Sequence, residues 1–206
     1  MASTSLDLTL PEAAPGLTTY GKYSWGDAFF YLYNLVPGVN LAEVAAGLQE
    51  VWYKEENVTP IIKIARPEAD FAGKTLSDVV AAHVAADKGI KLDKVKSRGS
   101  KRRHRESMGN ISVYPTAFVV VTKKDWKKDG GLLWVYVMDG KKGKGGKLDK
   151  FFFRFEDAYL LLAGVLFVNC TLNEAKREYD IEARHDDDDD DDDDEEEETT
   201  DEEDDD

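Results

Sequence analysis

The chain has 206 residues and a formal net charge of −15, with 42% apolar and 11% aromatic residues. That apolar share is enough to close a core and excludes wholesale disorder, and the length suits one domain with or without a tail. A lone cysteine, Cys170, excludes an intrachain disulfide scaffold and any multi-cysteine zinc site.

The charge is unevenly placed. Of the 21 residues from Asp186 to Asp206, 19 are Asp or Glu and the other two are Thr199 and Thr200. Positions 1–185 keep 23 acidic against 27 basic residues, so a mildly basic body carries a −19 tail. The expected organisation is a flexible segment over 1–18, a single globular domain over 19–185, and a disordered poly-Asp/Glu tail over 186–206. Met1 to Pro15 lacks the basic start and apolar centre of a secretory signal. The longest apolar run, Ala158–Val168, has 11 residues, against the roughly 20 that a bilayer requires. An intracellular protein with no membrane partner is the expectation.

In chain order, Trp25 to Leu35 reads as a short aromatic helix closed by Pro37-Gly38. Asn40 and Glu43 have capping-box spacing. Leu41, Val44, Ala45, Leu48, Val51 and Trp52 then fall on one helical face. Pro60 to Ala65 reads as a strand bounded by Pro67. A second helix opens at Thr75, with Asp78 three residues on and an apolar stripe of Leu76, Val79, Val80, His83 and Val84; Gly89 ends it.

The C-terminal half changes character. Ile111–Thr122, Leu132–Met138 and Lys150–Phe155 are rich in β-branched and aromatic residues and read as an antiparallel meander. Asp129-Gly130-Gly131 and Asp139-Gly140 supply the turns. Pro115 cannot donate to a ladder, so the first strand is expected at an edge or bulged there. Ala158–Asn169 reads as a buried helix across the sheet, with Lys176 and Arg177 at its solvated end. The expected fold is α+β: N-terminal helices, a three-stranded antiparallel meander and a buried C-terminal helix.

Two loops hold the positive excess. Lys88 to Arg105 has nine Lys or Arg and one acid, and Lys123 to Lys150 has nine Lys and four acids. Clustered cations suit phosphates, because each neutralised phosphate releases counterions. The candidate nucleic-acid contacts are Lys96, Arg98, Lys101, Arg102, Arg103 and Arg105 in the first loop. The second supplies Lys123, Lys124, Trp126, Lys127, Lys128, Lys141, Lys142 and Lys144. An exposed Trp126 among four lysines would stack on a base, although an indole folded back onto the sheet edge is as common. A face of Trp134, Tyr136, Phe152 and Arg154 is a second stacking candidate. Lys101 to Arg105 also resembles a simple nuclear localisation signal, which would make the compartment nuclear in a eukaryotic or virus-encoded protein. The Gly/Lys loop from Lys141 lacks the Gly-Lys-Ser/Thr ending of a nucleotide-triphosphatase loop and runs into a strand.

Neither catalysis, a metal nor a cofactor is expected. His83 lies on an apolar stripe, His104 in the basic loop and His185 at the start of the tail, with no triad or metal spacing around them. Cys170 reads as buried. The leading expectation is a sequence-nonspecific nucleic-acid-binding protein, for DNA or RNA, autoinhibited by its acidic tail. One alternative is a chaperone or adaptor whose Asp186–Asp206 run holds a basic partner such as a histone-like or virion protein. Another is a viral or other structural subunit. Oligomeric state is left open.

Overall fold

A computed structural model describes residues 5–12, 28–55, 59–66, 68–88, 113–138, 146–167 and 170–185. Phe29–Asn34 forms a strand, β1, where a short helix was expected. Both of its sides are buried: Phe30 and Leu32 face one layer and Tyr33 the other. A strand covered on both faces reads as an unbroken apolar run, which periodicity cannot tell from a helix.

β1 pairs in parallel with β2 (Ile62–Ile64) on one side and β3 (Val113–Val121) on the other. Helix α1 (Leu41–Lys54) links β1 to β2, and α2 (Leu76–Lys88) links β2 to β3. β3, β4 (Leu132–Val137) and β5 (Leu148–Phe153) then pair antiparallel in succession. The fold is mixed α and β, but among the described residues its sheet has five strands in the order β2-β1-β3-β4-β5. It is neither a bare three-stranded meander nor preceded by a block of helices; the helices expected first are crossovers between parallel strands. β3 is central, so Pro115 is not at an edge. Instead the register against β1 jumps from Phe29↔Val113 to Tyr31↔Phe118, the irregularity that a missing N–H demands.

Two apolar layers cover the sheet. On one face α1 and a later helix, α3 (Ala158–Phe167), bury Phe30, Leu32, Val119, Trp134, Phe151 and Phe153. On the other, α2 brings Leu76, Val79 and Val80 against Tyr33, Phe118, Val120 and Leu133. Each fully buried Leu or Phe of this kind contributes about 1.5–3 kcal/mol. Asn40 caps α1, its side chain accepting from Ala42 N at 3.1 Å, one residue short of the expected Glu43 contact. Val51, expected on the buried stripe, is exposed. α2 closes a reciprocal cap: Thr75 N donates to Asp78 Oδ2 at 2.9 Å and Asp78 N to Thr75 Oγ1 at 3.2 Å.

The C-terminal helix is broken where one was expected to continue. After α3 the chain starts again as α4 (Leu172–Tyr179) and α5 (Ile181–His185). Thr171 and Glu174 form a full capping box that starts α4. α3 is also less enclosed than its composition suggests, for Leu160 and Phe167 are exposed. Residues 5–12, read as part of a flexible lead-in, pack on the α2 face through Leu6, Leu8 and Leu10. Leu76 N donates to Asp7 O at 2.9 Å, Ser77 Oγ to Thr9 O at 3.0 Å, and Lys150 Nζ to Leu8 O.

Candidate functional site

β3 is nine residues long, about 30 Å at the usual rise, and the described residues next to the basic candidates divide between its two ends. At the amino end, Lys88 and Val113 bracket the first basic loop. Because β4 is antiparallel to β3, the residues that flank the Gly/Lys connection from β4 to β5 belong to this same end, where Met138 N donates to Lys147 O at 2.8 Å. Lys96, Arg98, Lys101, Arg102, Arg103, Arg105, Lys141, Lys142 and Lys144 themselves lie outside the described residues, as does Asp186–Asp206.

The start of β5 also sits at the amino end, and there the C-terminal helices are pinned. Asp149 Oδ2 accepts from Tyr136 OH at 2.8 Å and from Lys176 Nζ of α4 at 3.0 Å, while Oδ1 accepts from Lys150 N at 2.8 Å. Burial alone would raise the Asp149 carboxyl, but the bonds from Lys176, Tyr136 and Lys150 hold it below the usual carboxylate range. Asp180, at the junction of α4 and α5, is buried and is pushed up by that burial. α5 adds only five residues before the acidic run begins, about 8 Å of helix.

The two aspartates should therefore respond oppositely to acid. Asp149 is lowered in the fold, so its stabilisation is complete above the ordinary aspartate pKa of about 4 and is lost as pH falls through its lower folded value. Asp180 is raised, so its charge disfavours the fold at neutral pH, and the penalty lifts as pH falls through its raised value. Denaturant titrations should find Asp149→Asn less stable and Asp180→Asn more stable than the wild type at about pH 7, with both differences shrinking by about pH 3. A difference for Asp149→Asn that persists at the acid end would contradict this.

At the carboxyl end of β3 the chain turns through 122–131 into β4. Lys123, Lys124, Lys127 and Lys128 are all exposed on that turn. Lys123 Nζ donates to Asp129 O at 2.6 Å, and Lys128 pairs with Asp125 at 3.0 Å. Lys124 has neither a hydrogen bond nor an ion pair among the described residues. Gly130 takes the positive φ, +72°, expected of this turn.

Trp126 is not on the surface beside these lysines. It is buried at 7% exposure, its ring edge-on to Phe155 at 5.1 Å and tight against Gly47 of α1. A ring held inside the core offers no face to a base, so the indole serves to fix the turn. The second stacking candidate is also corrected. Trp134 pairs with Phe151 and so shares its face with Phe151 and Phe153, not with Phe152 and Arg154. Trp134 and Tyr136 are 0% and 1% exposed beneath the helices.

His83 is buried among Tyr31, Tyr33 and Phe118, with its Nδ1 3.0 Å from Tyr33 OH. Cys170 is half-buried, and burial with Glu174 and Glu178 nearby pushes its thiol up, away from nucleophilic behaviour. Among the described residues no three His, Cys, Asp or Glu side chains converge to hold a metal, and no helix is long and apolar enough to cross a membrane. No family model, curated protein or solved structure matches the chain. The sequence reading missed Asn34, which is buried and ties the end of β1 to Asp70 at 2.9 Å, and the Asp149–Lys176 anchor.

Proposed function

We propose that this chain binds nucleic acid without sequence preference, through the Lys/Arg-rich segments whose flanking residues lie at the amino end of β3, and that its acidic run competes for the same cations. One observation carries the reading. The described residues that flank both basic segments, and those that lead into Asp186, belong to one end of the sheet. A tether so short gives the acidic run an effective concentration in the millimolar range at those lysines and arginines. Weakly held polyanions are displaced, and tighter ones are retained.

The test is a salt titration of single- and double-stranded DNA and RNA binding, with the full chain and with a chain ending at His185. Removing Asp186–Asp206 should raise affinity by about tenfold or more at ~50 mM salt, where phosphate contacts are strongest. It should also steepen the salt dependence, since the nucleic acid then displaces small counterions where it had displaced the acidic run. Failure of both proteins to bind at that salt ends the proposal. So does a loss of basic-protein binding on truncation with nucleic-acid affinity unchanged, which would make the acidic run itself the binding element.

A further inference from the structure

The opposite end of the sheet carries a second site. After β1 the chain crosses by α1 to β2 on one side, and after β2 it crosses by α2 to β3 on the other. The carboxyl ends of β1 and β3 lie side by side there: β1 continues through Val36 and Pro37 toward α1, while β3 turns through 122–131 into β4. A crevice of about 460 Å³ is present there, within the range of small-molecule sites.

Its walls are of two kinds. Leu8 of the N-terminal segment, Val36 and Pro37 after β1, and Phe152 of β5 supply an apolar surface, while Lys123 and Lys124 stand at the rim and, among the described residues, no carboxylate lines it. Lys123 spends one of its three hydrogens on Asp129 O and keeps two, and Lys124 keeps all three. Paired ammonium groups act as point charges and suit a compact dianion; they lack the planar fork with which arginine grips a carboxylate. The turn that bears them is held by Trp126 in the core and by Thr122 Oγ1 donating to Gly130 O at 2.6 Å, so the backbone that carries the two lysines is fixed.

We infer that this crevice binds a phosphate monoester carried on an apolar or aromatic body, with the body against Phe152, Pro37 and Leu8 and the phosphate between Lys123 and Lys124. Such a group occurs on a free small molecule and at the end of a nucleic-acid strand. The site is separate from the proposed contacts at the amino end of β3 and does not depend on them.

Calorimetric titration of the full chain with phenyl phosphate tests this, with inorganic phosphate and phenol as comparison probes. Phenyl phosphate should bind at least about tenfold more tightly than either, because only it uses both walls. Lys124→Glu should weaken it by about tenfold or more, and Leu8→Trp, which fills the crevice, should do the same. Lys128→Glu makes the same charge change on the same turn outside the crevice and should leave affinity within about twofold. Neutralising Lys101, Arg102, Arg103 and Arg105 should leave phenyl phosphate binding unchanged whether or not nucleic-acid binding is lost. A 5′-phosphorylated oligothymidylate that outcompetes its 5′-hydroxyl form for the crevice identifies a strand end as the source; competition by neither identifies the free small molecule. No heat of binding with phenyl phosphate, or equal losses in Lys124→Glu and Lys128→Glu, overturns the inference.

Discussion

Trp126→Ala is expected to destabilise the protein by about 3–5 kcal/mol, the range for deleting a large buried ring. The ring bridges two parts of the fold that the chain joins only at long range, the β3–β4 turn and the middle of α1. Its contact with α1 depends on a missing side chain: a Cβ on Gly47 would lie 2.6 Å from Trp126 Cη2. Gly47→Ala should therefore cost about 1–3 kcal/mol by overpacking, although alanine is the better helix former. The two costs should not add. With the indole gone, the alanine at 47 has room, and its helix propensity turns the second substitution neutral or stabilising. Denaturant midpoints of the four proteins in this cycle check the expectation, provided their m-values agree. Additive losses would mean that Gly47 and Trp126 do not share the contact.

The same residue marks the limit of what the sequence disclosed. Lys123 to Lys128 advertises a basic turn, and the exposed lysines there are legible from composition alone. The direction of Trp126 is not, because it depends on a glycine 79 positions earlier arriving beneath it through α1. α2 was readable almost residue by residue, since its cap and its apolar stripe are local signals. β1 was not, since burial on both faces erases the alternation that marks a strand. Two missed features did have a local signal. Ser5-Leu6-Asp7-Leu8-Thr9-Leu10 alternates with period two, the pattern of a chain laid along an apolar surface. Thr171-x-x-Glu174 is the capping-box spacing that restarts a helix. Trp134 and Tyr136 lay beyond local reading, because register decides which partners share a face, and a shift by one residue exchanges Phe152 for Phe151.

Asn34→Ala is expected to cost about 2–3 kcal/mol, although it removes only a small amide, because three hydrogen bonds at about 1 kcal/mol each go with it, and water recovers only part of that loss at half-buried Val36 and exposed Asp70. Asn34 Nδ2 donates to Val36 O at 2.7 Å and to Asp70 Oδ1 at 2.9 Å, and its Oδ1 accepts from Val36 N at 3.0 Å. The Asn34 side chain itself is 1% exposed, so its donors and acceptor are satisfied by these bonds and not by water. The backbone adds Asn34 N donating to Ala69 O at 2.9 Å and Phe71 N donating to Asn34 O at 2.7 Å, so the amide locks a junction between the end of β1 and residues 69–71. Asn34→Asp separates the geometry from the chemistry. It keeps the acceptor for Val36 N, loses both donors and sets a second carboxylate against Asp70, so at neutral pH it should be at least as damaging as alanine. Acidification should then restore part of its stability, because burial and the neighbouring charge raise the new carboxyl and a protonated acid can donate again. No such recovery is expected for Asn34→Ala. Val36 and Pro37 form a wall of the lysine-rimmed crevice, so both variants should also weaken the proposed binding of phenyl phosphate there, while the proposed nucleic-acid binding is spared. Denaturation at two pH values and calorimetry on the same samples separate a loosened wall from a collapsed fold.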